Sequence, residues 1–132
     1  MNIERFMKKN KAQRENVKYA ATKSLTDENG APLEWTLRPV SSKETELIRD
    51  ECVDSVPANK KTQFSFRTSK YIAKLICASV VEPNLNSKEL QDSYGVMSAE
   101  DLLMEMVDNA REYQQFAEFV QNFNGLSGEN NN

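Results

Sequence analysis

The chain has 132 residues, enough for one domain with a core of its own, and carries 39% apolar and 28% charged residues with a net charge of −3. It contains no histidine, which removes the commonest general base, the usual serine and cysteine triads and most zinc sites. Overall acidity disfavours nucleic acid as the main partner, and no run approaches the ~20 apolar residues of a membrane helix.

Residues 3–10 read as a short helix, with Ile3, Phe6 and Met7 at i, i+3, i+4. A polar connector follows over 11–16. Residues 17–25 and 33–40 alternate apolar and polar side chains around Asn29-Gly30, the pattern of a β-hairpin whose inner face carries Tyr19, Trp35 and Leu37. A lone hairpin is marginal in water, so that face must be covered by helices. Residues 41–56 read as a helix, with Ser41 and Glu44 as a capping box, an apolar stripe of Leu47, Ile48, Cys52 and Val56, and Pro57 as its stop. A polar loop over 58–67 carries Lys60-Lys61 and a short extended piece around Phe64 and Phe66. Residues 68–81 form the most apolar helix, broad enough in its stripe to be core, and Pro83 ends it.

A short helix over 84–96 takes Asn86 and Glu89 as its capping box and stops at Gly95. Ser98 then caps a helix with Leu102, Leu103, Met106 and Val107 on its apolar face. Asp108-Asn109 is a candidate break, Asn109 with Glu112 being able to cap a fresh start. A last stripe of Tyr113, Phe116, Phe119, Val120 and Phe123 runs to Asn124-Gly125. The reading is α+β: a mostly helical single domain over 1–126, with an N-terminal β-hairpin packed against the helices, and a disordered tail over 127–132.

Charge is unevenly spread. Residues 1–23 hold seven basic and two acidic residues, net +5, while residues 82–132 hold two basic and ten acidic, net −8. The first reading is internal, a basic segment packed on acidic helices; the second is head-to-tail self-association into a homo-oligomer.

Enzymatic chemistry has no foothold in the pattern. The carboxylates sit at helix starts and on exposed faces, the four glycines at turns or ends, and no GxGxxG, P-loop or EF-hand loop is present. Cys52 and Cys77 lack metal-site spacing and read as reduced core residues. Neither a cofactor nor a metal is expected. Lys8, Lys9, Lys11 and Lys60-Lys61 read as solvated faces. The C-terminal apolar residues exceed what one helix face can bury. Met104, Tyr113, Phe116, Phe119 and Phe123 are therefore candidates for a partner-binding surface, with core packing as the competing explanation.

The order of segments resembles a known family. Asn16-Val17-Lys18-Tyr19 leads to Asp27-Glu28-Asn29-Gly30-Ala31-Pro32-Leu33-Glu34-Trp35, then Lys70-Tyr71-Ile72-Ala73-Lys74-Leu75. The more specific pieces are Val80-Val81-Glu82-Pro83-Asn84-Leu85-Asn86 and Leu90-Gln91-Asp92-Ser93-Tyr94-Gly95-Val96-Met97. Over residues 2–126 the chain is similar to the XkdN-like tail assembly chaperones of Gram-positive phages and PBSX-like prophage elements. The resemblance implies a protein that binds the long, aggregation-prone tape measure protein in the host cytoplasm, keeps it soluble, helps recruit tail tube protein, and is absent from the mature particle. It carries over no catalytic motif and no binding residue position by position. The chain departs from the expected pattern at residues 108–111, where neither Pro nor Gly breaks the helix. A structural tail or connector component retained in the virion, and a small regulatory binding protein, are the alternatives.

Overall fold

The computed structural model describes residues 2–58 and 61–126. The expected tail, residues 127–132, lies outside the described residues, as does Lys60 of the Lys60-Lys61 pair.

Strands β1 (Val17–Tyr19) and β2 (Trp35–Leu37) form the expected hairpin, antiparallel and in register Val17↔Leu37 to Tyr19↔Trp35. The loop between them is tied by Asp27, whose Oδ1 accepts from the Asn29 and Ala31 amides at 2.8 and 3.0 Å. Gly30 takes a φ of 84° there, a conformation that costs glycine little. Alternation puts Trp35 and Leu37 inward, where both are buried, and half-buries Tyr19.

The N-terminal segment is not one helix. It forms two 3₁₀ turns, Ile3–Phe6 and Lys8–Asn10, with Met7 extended between them. Among the described residues nothing buries its apolar side chains, and so short a helix without packing is marginal.

Helix α1 (Ser42–Glu51) begins with the expected capping box. The Ser41 Oγ accepts from the Glu44 amide at 3.1 Å, and the Glu44 carboxylate accepts from the Ser41 amide at 3.1 Å. The helix ends well before Pro57. The Cys52 amide donates to the Arg49 carbonyl at 3.0 Å, and Val53–Ala58 then forms β3, paired antiparallel with β4 (Lys61–Phe66). Val53, Val56, Phe64 and Phe66 favour a pleated ribbon, and Pro57 sits in a two-stranded sheet where a missing donor is tolerated. Of the stripe assigned to α1, Cys52 is fully buried, Ile48 half-buried and Leu47 exposed.

Helix α2 (Thr68–Ser79) ends two residues before its predicted limit. Val80–Glu82 becomes β5, which pairs with β2 and completes a three-stranded sheet of order β1-β2-β5. Buried Ser79 locks this corner: its Oγ donates to the Arg38 carbonyl at 2.7 Å, and the Arg38 amide donates to the Ser79 carbonyl at 2.7 Å.

Helix α3 (Lys88–Tyr94) is capped by Ser87, not Asn86; the Ser87 Oγ accepts from the Leu90 amide at 3.2 Å. The Asn84 side chain instead accepts from the Asn86 amide. Helices α4 (Ala99–Met106) and α5 (Ala110–Phe123) are separate, with the break at the candidate position Asp108-Asn109. Asn109 Oδ1 accepts from the Glu112 amide at 2.9 Å, which starts α5 without Pro or Gly.

The core gathers Trp35, Leu37, Leu75, Ile76, Leu102, Leu103, Phe116 and Val120, so α2, α4 and α5 pack together and cover the inner sheet face. Lys74 ties three helices across this packing, reaching Glu51 at 3.3 Å and Glu100 at 3.0 Å. The fold is α+β, mostly helical, with the N-terminal hairpin packed against the helices. The expected internal charge pairing is slight among the described residues: no basic side chain of residues 2–23 forms an ion pair with a carboxylate of the C-terminal helices. The contact that approaches it is at Glu112, which accepts from the Thr22 hydroxyl at 2.7 Å and the Lys23 amide at 2.9 Å and is held below its ordinary value by these bonds and by the Lys23 charge.

Candidate functional site

The five candidate residues divide between two sides of α5. Phe116 is core, with no exposed surface. Its ring lies parallel to Tyr19 at 5.3 Å and meets the Trp35 ring edge-on at 5.4 Å. It cannot meet a partner in this fold, which corrects its place among the candidates. Phe119 is half-buried against Tyr19 at 4.2 Å, and Phe123 continues the stack at 6.3 Å from Phe119. These three at i, i+3, i+7 face the β1 side, because the hairpin needs a cover there.

Tyr113 does not join that stripe. With Ala110, Gln114 and Ala117 it turns toward α2, where it meets Met104 across an open groove. The groove has a volume of about 690 Å³ and lies between α2, α4 and the first half of α5. Ile72 and Ala73 of α2, Met104 of α4 with Val107 just after it, and Tyr113 and Ala117 of α5 line it. Small side chains at Ala73, Ala110 and Ala117 leave the space, which is within the usual range for a binding cleft of ~300–1,000 Å³. Met104, 47% exposed, is the most accessible of the five.

The groove's chemistry is neutral at its centre. Burial, the larger cause, and the neighbouring Cys77 side chain raise the Tyr113 hydroxyl above its ordinary value, so it stays protonated. Burial, with the Glu100 carboxylate adding to it, pushes the Cys77 thiol up to about 12. Charge sits on the rim: Arg67 just before α2, Lys70 in its first turn, and Asp108 at the α4–α5 break. Ile72 and Ala73 belong to the site although the breadth of the α2 stripe reads as pure core. That breadth has two causes, since Leu75, Ile76 and Ser79 face the core while Ile72 and Ala73 face the groove.

A second, polar cleft of about 810 Å³ lies between the N-terminal segment and the end of α5, lined by Lys8, Lys11, Arg14, Arg38, Ser41 and Asn124 among others. Its cations are partly used: Arg14 donates to the Val40 carbonyl at 3.0 Å, and Arg38 grips Glu44 with both terminal nitrogens. The β3–β4 ribbon adds exposed Val53, Phe64 and Phe66. Among the described residues no group of three or more Cys, Asp or Glu is placed to hold a metal, and no helix is long and apolar enough to cross a membrane.

A helical domain with an apolar, mixed-charge-rimmed groove and exposed apolar surface elsewhere is of the protein-binding class. The model of the phage XkdN-like tail assembly chaperone family matches residues 3–132, and this chain belongs to that family. Its fold is similar to the crystal structure of the protein YqbN, with a TM-score of 0.79 at 15% identity over 96% of this chain and 98% of the other. No curated protein matches the sequence.

Proposed function

We propose that this tail assembly chaperone binds the tape measure protein in the bacterial cytoplasm, keeps it soluble, and releases it as tail tube protein assembles around it. The observation that carries this reading is the α2–α4–α5 groove, with Met104 and Tyr113 at its accessible surface. A tape measure protein is a long amphipathic helix whose apolar stripe aggregates unless covered. An open groove with a neutral apolar floor and charges of both signs on its rim suits such a helix, and suits many similar segments better than one. Flexible Met104 adapts to varied side chains.

Co-expression with the tape measure protein of the same phage tests the proposal. A soluble complex with several copies of this chain per client, where the client alone is insoluble, is expected. Met104→Glu places a charge in the apolar groove and should weaken capture by about 10–100-fold, or roughly 1.4–2.7 kcal/mol. Its far-UV circular dichroism should stay that of the wild type, since the site is half open. A client left insoluble by the wild-type chain sinks the proposal. Recovery of the chain in purified particles would replace it with the reading of a retained tail component.

A further inference from the structure

We infer that the basic cleft between the N-terminal segment and the end of α5 is a second docking site, one that takes an acidic segment of a partner protein. The site is separate from the α2–α4–α5 groove and does not rest on the reading of that groove. Its lining holds four cations, Lys8, Lys11, Arg14 and Arg38, and no carboxylate. Arg38 is already neutralised by Glu44, to which it donates at 3.1 and 2.6 Å. The other three are not: among the described residues no carboxylate lies within ion-pair distance of Lys8, Lys11 or Arg14. Glu15, next to Arg14 in the chain, is not part of the lining. The chain is net −3, yet residues 2–14 hold five basic residues and one acidic, and that one, Glu4, pairs with Lys9 at 2.8 Å. Like charges gathered in one cleft repel each other until an anion enters.

The cleft is held open by bonds between distant parts of the chain. Val40, between β2 and α1, uses both of its backbone groups: its amide donates to Asn124 Oδ1 at 2.7 Å, and its carbonyl accepts from Arg14 Nη2 at 3.0 Å. Asn124 is fixed in turn, its Nδ2 donating to the Val120 carbonyl at 2.9 Å. Arg14 is thereby tied to the body through one terminal nitrogen while keeping its charge. The volume of about 810 Å³ far exceeds what a simple ion fills, a water molecule taking about 30 Å³, and suits a peptide segment.

Apolar surface beside the cations favours a protein segment over nucleic acid. Ala12, Pro39 and Leu126 also line the cleft, and Phe6 and Met7, just before Lys8, are 73% and 50% exposed. No aromatic ring lines the cleft itself, so bases would find no stacking platform there. A long polyanion would also be repelled by the net negative charge of the rest of the chain, whereas a few local carboxylates meet only the cleft. Lysine and arginine give such carboxylates short, charge-assisted hydrogen bonds, and complementary charge fixes the register of the segment. Cleft and groove flank different halves of α5, Asn124 closing one and Ala110 and Tyr113 lining the other. At 1.5 Å per residue the 14 residues of α5 span about 20 Å, so both sites can be filled at once.

The test is fluorescence anisotropy of a labelled synthetic peptide of repeated Glu-Leu-Asp-Leu, titrated with the full chain. Saturable binding is expected, and the charge reversals Lys8→Glu and Lys11→Glu made together should weaken it by at least about tenfold. Lys8→Arg with Lys11→Arg keeps the charge and should bind like the wild type. All four substitutions fall at exposed positions, so circular dichroism should not change. Raising the salt from about 0.1 to 1 M, which shortens the screening length from about 10 to 3 Å, should weaken binding by about tenfold as well. Absence of saturable binding overturns the inference, as does a charge-reversed pair that binds like the wild type. Binding lost in Met104→Glu but kept in the charge-reversed pair would place the peptide in the groove and also overturn it. An oligothymidine strand bound as tightly as the peptide would make nucleic acid the ligand class instead. A chain that binds the peptide but leaves the tape measure protein insoluble would keep this site and remove the proposed function; the opposite result would do the reverse.

Discussion

Phe116→Ala separates core from binding surface on α5. Phe116 is fully buried and meets Tyr19 and Trp35 at ring distances of 5.3 and 5.4 Å, so truncation empties the contact between the hairpin and α5. Deleting a buried phenylalanine costs about 3–5 kcal/mol, a figure that already contains the lost ring contacts. Against a total stability of ~5–15 kcal/mol this is a large fraction, equivalent to a fall in Tm of about 10–20 °C for a chain of this size. Urea unfolding followed by fluorescence reads it directly, because Trp35 is the only tryptophan and packs edge-on to the lost ring. At temperatures where the variant remains folded, client capture should match that of the wild type. A variant that keeps its stability to within about 1 kcal/mol yet loses capture would refute the assignment of Phe116 to the core.

Three further outcomes follow from named contacts. The Arg38 hydrogen bond, then the Ser41 amide, hold Glu44 down to about 2. Its contribution is therefore full above its ordinary value of 4.5 and is lost as pH falls toward about 2. Both side chains are 38% exposed, so screening reduces the contribution to about 1 kcal/mol, and Glu44→Gln should flatten that part of the acid limb in urea titrations at stepped pH. Cys52 is fully buried and the Cys77 thiol is pushed up to about 12 by burial, so neither should react with a thiol reagent at pH 8 until the chain is unfolded; rapid labelling of the native protein would contradict the packing. The Tyr71 hydroxyl is buried without a hydrogen-bond partner among the described residues, and Tyr71→Phe should be neutral or stabilising by up to ~1 kcal/mol in thermal unfolding, whereas a clear loss would reveal a partner for that oxygen.

What the sequence made legible was local. Alternation around Asn29-Gly30 located the hairpin and its inner face, and Ser41 with Glu44 located the start of α1; Asn109 offered a break between α4 and α5 that the sequence, lacking glycine or proline there, left open. What it concealed depended on pairing at a distance. Val53 and Val56 continue a helical stripe as readily as they alternate in a strand, and only the partner Phe64 and Phe66 across the turn decides. Val80-Val81 reads as the end of a helix because β2, more than forty residues earlier, is what recruits it. The candidate surface blurred for a similar reason. On a helix wheel Tyr113 sits near the phenylalanine stripe, and only the opposed packing of α2 and the hairpin on α5 sends the two to different sides. The groove itself is carried by alanines, whose signal is the space they leave.

The uneven charge gains its meaning from what the fold does not do with it. A basic arm folded onto acidic helices would have neutralised both within one molecule. Instead the ion pairs among the described residues are local or join α1, α2 and α4, and the carboxylates Asp101, Glu105, Asp108 and Glu118 stand exposed on the α4–α5 side. Uncompensated like charge costs stability through self-repulsion, at modest screening and over distances of ~10 Å. That cost falls when the face is covered and its carboxylates find cations. The groove containing Met104 lies on that face, and the exposed Ile3, Phe6 and Met7 are carried by the most basic part of the chain. On the proposed reading, a client segment in the groove meets Arg67 and Lys70 as well as Asp108, so charge on the client sets its register more than its affinity.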